Sequence, residues 1–147
     1  MADPVPFETT LLVRDTCLCL HVQRAARALA RRFDEALKPV GLTSGQFSLL
    51  MALNRPAPAS MKSVATLLGM DRTTLTAALK LLERRRLLKV AIDPKDRRGR
   101  LLTLTAKGRT VLAVAVPVWK AHHARIEALL PDGADALRDG LHRLVSQ

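Results

Sequence analysis

Two cysteines, Cys17 and Cys19, are too few to staple a small secreted domain. No uninterrupted apolar run approaches the roughly 20 residues of a membrane-spanning helix. The first residues, MADPVPFETT, lack a basic segment followed by an apolar core, so no signal peptide is expected. No glycine loop of the phosphate-binding kind occurs. Four histidines and 13 scattered carboxylates form no nucleophile–base set. Internal repeats and low-complexity tracts are also missing. These absences argue against an enzyme, a stapled secreted domain and a membrane protein, and they fit a cytoplasmic chain with no cofactor.

Acidic residues are the other shortage. Asp and Glu total 13 against 24 Lys and Arg, which gives a net charge of +11 and an isoelectric point near 11.0. Such a balance asks for an anionic partner, nucleic acid first and an anionic membrane second. With 147 residues, 48% of them hydrophobic, the chain is long enough to bury a core and reads as a single domain, 1–147.

Periodicity predicts a mostly α (α+β) fold. Between Thr10 and about Leu37, Leu18, Val22, Ala25, Leu29 and Phe33 recur every three or four residues and make one apolar stripe. Pro39 and Gly41 end that helix. Thr43 with Gln46 reads as a capping box, opening a helix whose buried side is Phe47, Leu50, Met51 and Leu53. Residues 54–59 read as a loop. Ser60 caps a short helix with Val64, Leu67 and Leu68 inward, and Gly69 ends it. Asp71 caps the next helix. There Leu75, Ala78, Leu79 and Leu82 share a narrow arc, while Thr73, Thr76, Ala77, Lys80 and Arg84 lie opposite. Strands follow near 88–92 and 101–104. Thr105 caps a long helix to about Leu130 that Pro117 could kink, and Pro131 and Asp132 open a last one ending near Val145.

Two short helices about a tight turn, then a hairpin, is the order of a winged helix-turn-helix. The chemistry suits it. Thr73, Thr74 and Thr76 can hydrogen-bond bases or phosphates in a major groove, and the first helical N–H groups near Arg72 favour a phosphate. Lys80 and Arg84 lie along the same face. The stretch DPKDRRGR, residues 93–100, offers Lys95, Arg97, Arg98 and Arg100 to a narrow minor groove, where arginine is favoured. Asp96 fits there as the partner of a nearby arginine. From 71 to 100, ten basic residues stand against four acidic, a net +6 in about a fifth of the chain.

GLTSGQFSLL, SVATLLGMDRTTLTAALKLLERR and DPKDRRGRLLTLTAKG together resemble the MarR family of bacterial transcriptional regulators, over roughly residues 10–147. The D-x-R wing followed by L-T-x-x-G is the most specific part. The resemblance implies a homodimer of winged-helix protomers on a pseudo-palindromic double-stranded operator. Residues 10–38 and 106–146 become interlocking dimerisation helices, and 42–105 the DNA-binding lobe. It implies a repressor released by a small-molecule effector or by oxidation. It makes Arg98 the minor-groove arginine, Asp96 the residue that orients it, and Arg72, Thr73, Thr74 and Thr76 recognition-helix contacts. Three positions depart from the family pattern. Arg86 stands where Gly is usual, Ala77 where Arg is common, and Val90 or Ala91 where a basic residue is expected.

Cys17 and Cys19 would lie about 200° apart on one helix and could not bridge there. They are candidate redox residues, which keeps open a redox- or electrophile-responsive repressor. The family's peroxide-sensing branch sets tyrosines beside its thiol, and this chain has none. Cys17 and His21, with His122 and His123, lack the spacing of a metal site. Trp119, His123, Phe47 and Met51 are candidates to line an effector pocket, although such residues are more often core. A nonspecific architectural DNA-binding protein is the alternative of another class. It would bind almost wholly by counterion release.

Overall fold

The computed structural model describes residues 3–146. Its elements are α1 (Phe7–Thr16), α2 (Leu18–Leu37), a 3-10 turn (Lys38–Val40), α3 (Ser44–Ala52), β1 (Ala59–Ser60), α4 (Met61–Leu68), α5 (Arg72–Arg84), β2 (Leu88–Asp93), β3 (Asp96–Leu104), α6 (Ala106–Glu127) and α7 (Ala134–Val145). The strands form one antiparallel sheet in the order β1-β3-β2.

Side-chain caps set the helix starts. Thr43 accepts from the Gln46 N–H at 3.2 Å, and the Gln46 side chain accepts from the Thr43 N–H at 3.1 Å, closing the expected capping box. Ser60, Asp71 and Thr105 accept from the N–H groups of Ser63, Thr74 and Gly108. Gly69, at φ 64, ends α4 in the left-handed conformation and sets the turn into α5.

The expected helix over 10–37 is two helices. Cys17 takes an extended conformation (φ −66, ψ 110) between them. Its carbonyl accepts from the His21 N–H at 3.1 Å and from His21 Nδ1 at 2.8 Å, so the break is satisfied locally. The first helix also starts earlier, at Phe7, directly after Pro6. At the other end, residues 131–133 form a turn and α7 begins only at Ala134. The α6 helix continues past Pro117 to Glu127.

The core is built where α3, α4 and α5 meet α2, α6 and the sheet. Leu37, Leu49, Leu50, Val64, Leu75, Leu82, Leu87, Leu88 and Leu102 are its most enclosed side chains, and no polar or charged residue among those described is buried with them. Burying each such leucine is worth roughly 1.5–3 kcal/mol before the entropy of ordering it. Two inward assignments fail: Met51 is 40% exposed and Leu67 64% exposed. Leu49 takes the core place expected of Met51, because the apolar residues of α3 surround the helix rather than marking one face.

The stripe of α2 is also largely uncovered, since Leu18, Val22, Ala25 and Leu29 are exposed. Neither α1 nor α7 buries a residue. On α7, Leu137, Leu141 and Leu144 follow one helical face and stay exposed.

The hairpin is longer than expected. Pairing runs from Leu88↔Leu104 to Ile92↔Arg100, then jumps to Asp93↔Asp96. The reversal is therefore a two-residue turn, Pro94–Lys95, and Arg97, Arg98 and Gly99 are extruded from β3 as a bulge without ladder partners. The sequence also hid β1. Ala59, expected in a loop, pairs with Leu102 of β3, and Ser60, expected only as a helix cap, pairs with Leu101 as well as capping α4.

Candidate nucleic-acid interface

Asp71 fixes the start of α5. One carboxylate oxygen accepts from the Thr74 N–H at 2.7 Å and the other from the Thr74 hydroxyl at 2.8 Å. These bonds, the backbone one first, hold the Asp71 carboxyl below its ordinary 3.8. The carboxylate thus takes up part of the positive helix end that the sequence offers to a phosphate.

The three threonines are not equivalent. Thr74 commits its hydroxyl to Asp71. Thr76 donates to the Arg72 carbonyl at 2.8 Å, one turn back along α5, and keeps only acceptor capacity for an outside group. Among the described residues, Thr73 makes no side-chain hydrogen bond and both donates and accepts freely. Arg72, Thr73, Thr76, Ala77 and Lys80 together line a groove of about 460 Å³ along α5. Arg84 is exposed at the far end of the helix.

The bulge stands beside the start of α5. The Arg98 N–H donates to Asp96 Oδ1 at 3.0 Å, and Arg72 Nη2 donates to the Arg98 carbonyl at 3.4 Å. Asp96 therefore sets Arg98 through its backbone rather than by pairing with a guanidinium, because the short turn places the carboxylate under the peptide two residues on. The same turn is closed by Asp93, whose Oδ1 accepts from the Lys95 N–H at 2.9 Å. Lys95, Arg97 and Arg98 are exposed, whereas Arg100 is partly buried. A cleft of about 720 Å³ separates the bulge from α4, with Arg72, Arg98 and Arg100 on one side and Met61, Lys62 and Ala65 on another. Lys62 was not singled out from the sequence. Its signal was weak, a lone cation in the first turn of a helix.

The ion pairs among the described residues are Arg14–Asp15, His123–Glu127, Arg138–Glu127 and Arg138–Asp135. None involves the cations of residues 71–100, so the positive potential of α5 and the hairpin is not offset by paired carboxylates.

The remaining candidates are dispersed. Cys17 is half-buried at the α1–α2 junction rather than inside a helix, Cys19 is exposed at the start of α2, and both are free thiols. No three His, Cys, Asp or Glu residues among those described could jointly hold a metal ion. Phe47 stacks on Trp119 at 6.0 Å between centroids, and Trp119 on His123 at 4.5 Å. Phe33 meets His122 edge-on at 5.0 Å. These rings pack against one another, and Met51 lies exposed. No helix among the described residues is long and apolar enough to cross a membrane.

Comparison with known proteins agrees with this architecture. A family model described as MarR family matches residues 40–99. The transcriptional regulator MosR of M. tuberculosis, solved in complex with DNA, superposes with a TM-score of 0.80 at 38% identity, over 88% of this chain and 94% of that one. The repressor CouR bound to a 23-mer DNA duplex gives 0.78 at 34% identity, over 90% and 94%. A second CouR structure, from Rhodococcus jostii RHA1, holds p-coumaroyl-CoA and gives 0.76 at 25% identity, over 90% and 94%. Among curated proteins, the transcriptional activatory protein BadR of Rhodopseudomonas palustris is 34% identical over 113 residues, 74% of this chain. That match spans 65% of BadR, so the chain covers less than two thirds of that relative's length.

Proposed function

The chain belongs to the MarR family of winged helix-turn-helix transcriptional regulators, and from that premise we propose that it works as a homodimeric, sequence-specific repressor in the cytoplasm, with no catalytic role. Each protomer lays α5 in the major groove of double-stranded DNA and sets the Arg97–Gly99 bulge in the adjacent minor groove. Arg72, Thr73, Thr76 and Lys80 face bases and phosphates. Thr74 acts mainly as part of the cap, Arg84 and Lys95 reach the backbone, and Arg98 enters the minor groove. Residues 42–105 form the DNA-binding lobe. Residues 10–38 and 106–146 carry the dimer, and twofold symmetry sets half-sites about 10 bp apart. The carrying observation is the extruded Arg97–Arg98 pair, unopposed by ion pairs, beside the α5 groove.

A small organic effector releases the DNA in this reading, as a ligand that binds the non-operator arrangement better must do. The p-coumaroyl-CoA complex of CouR supports an effector-responsive chain. Fluorescence anisotropy on the DNA upstream of the chain's own gene, beside a shuffled duplex, tests the proposal. A preference of about 10³ or more for the upstream duplex is expected, together with a marked loss for Arg98→Ala. Equal affinity for every genomic fragment, with a steep salt slope, would instead indicate a nonspecific DNA coater. Repression rather than activation is read from reporter transcription across the same operator.

A further inference from the structure

Arg100 belongs by charge with the DNA contacts, yet its geometry points inward. Extruding three residues from β3 removes the cross-strand partners of their peptide groups. Those groups need other partners. The Arg98 N–H and carbonyl find Asp96 Oδ1 and Arg72 Nη2. The carbonyls on either side, those of Arg97 and Gly99, both accept from Arg100 Nη1, at 3.2 and 3.0 Å. One guanidinium nitrogen therefore closes the bulge around Arg98. Gly99 completes the closure: a Cβ there would come within 3.3 Å of the Asp96 carbonyl oxygen and 3.4 Å of Asp93 Cβ.

We propose that Arg100 is a positioning residue, a brace that holds the bulge so that Arg98 projects toward DNA, and that it contributes to operator binding only through Arg98. The proposal rests on the DNA-binding reading above. With both N–H groups of Nη1 bonded to carbonyls of its own strand, the half-buried Arg100 cannot present the Nη1–Nη2 edge of its fork to a phosphate, so a contact of its own would have to use the remaining Nε–Nη2 edge. The planar fork suits the task, since its cationic N–H group draws together two carbonyl dipoles that would otherwise repel each other in the narrow bulge.

A double-mutant cycle decides the matter. Wild type, Arg98→Ala, Arg100→Met and the double variant are titrated, at several salt concentrations, onto a duplex selected from a random pool by the wild-type chain. Arg98→Ala is expected to weaken binding on the order of 10-fold or more, and Arg100→Met by a comparable factor. The double variant should then match Arg98→Ala within about two-fold. If Arg100 instead neutralised a phosphate of its own, the two effects would multiply and the salt slope would fall by a further ~0.9 in the double variant, which would overturn the proposal.

Backbone ¹⁵N relaxation of the DNA-free protein supplies a second readout. Order parameters at Arg97, Arg98 and Gly99 should fall in Arg100→Met from about 0.85 toward 0.6 or lower. Unchanged order there would also overturn the brace. A wild-type chain that selects no duplex would sink the DNA-binding reading, while the relaxation arm still decides whether Arg100 holds the bulge.

Discussion

Thr105 Oγ1 donates a 2.6 Å hydrogen bond to the Arg86 carbonyl and accepts one from the Gly108 N–H at 2.9 Å. One hydroxyl thus joins the exit of α5 to the entry of α6. Arg86 has φ 60, the one non-glycine residue with positive φ among those described. Its N–H bonds to Glu83 O and the Leu87 N–H to Leu82 O, so α5 ends in a Schellman turn with Arg86 where glycine is normally required. Left-handed backbone costs an L-residue roughly 1–2 kcal/mol. Arg86→Gly is therefore expected to raise stability by a few tenths to about 1 kcal/mol, after the extra unfolded-state freedom of glycine is subtracted. Arg86→Val should lower it. Urea unfolding measures both, and a destabilised glycine variant would contradict the turn described.

Gly108, the glycine of the L-T-x-x-G pattern, is needed for space rather than for its dihedrals. A Cβ there would overlap the Leu87 carbonyl oxygen and lie 3.0 Å from the Leu87 carbonyl carbon, both backbone atoms that cannot swing aside. Gly108→Ala should cost about 2 kcal/mol or more, because α6 must withdraw from the start of the hairpin. A thermal midpoint equal to that of wild type would show that the two segments are not so closely packed.

Asp71 predicts an acid-side pH dependence. Its carboxyl is held below 3.8 by the Thr74 N–H and hydroxyl. A depressed carboxylate gives stability that is present above its unfolded value and lost as pH falls through the folded one. The advantage of wild type over Asp71→Asn should therefore be steady near neutrality and shrink below about pH 4. A difference that stays constant down to pH 3 would mean that the Asp71 charge does not strengthen the cap.

On the proposed homodimer, the uncovered apolar faces predict where the partner copy packs. Leu137, Leu141 and Leu144 on α7, and Phe7 and Leu12 on α1, remain exposed in the single chain. Leu137→Asp with Leu141→Asp should convert a dimer to monomer in analytical ultracentrifugation and abolish operator binding. The α5 helix, whose core face packs among residues of the DNA-binding lobe, should keep its fold. An unaltered sedimentation coefficient would place the interface elsewhere.

What was legible in the sequence was local chemistry. Thr43, Ser60, Asp71, Thr105 and Gly69 announce helix ends, because a cap depends on side chains only a few residues apart. The same holds for the sorting of α5 into a core face at Leu75, Leu79 and Leu82 and an outward face at Thr73 and Lys80. The break at Cys17 carries no Pro or Gly and lies between two helical stretches, so periodicity runs straight through it. Short β1 exists only because β3 passes beside it, which is non-local information. Met51 and Leu67 depart from expectation because an apolar side chain signals burial without saying against what. At the interface, charge counting located the cations but could not divide them, since whether Arg100 faces DNA or its own backbone depends on the register jump between Ile92 and Asp93.

The bare terminal helices carry a consequence for gene control. On the dimeric reading, α1 and α7, which bury no residue in the single chain, gain a buried apolar face from the second chain, so association and final ordering are one equilibrium governed by mass action. Where the free protein is mostly dissociated, operator occupancy follows the square of chain concentration rather than its first power. A modest dilution of the protein in a growing cell would then relieve its target promoter more steeply than any single-chain binder could, with no effector present.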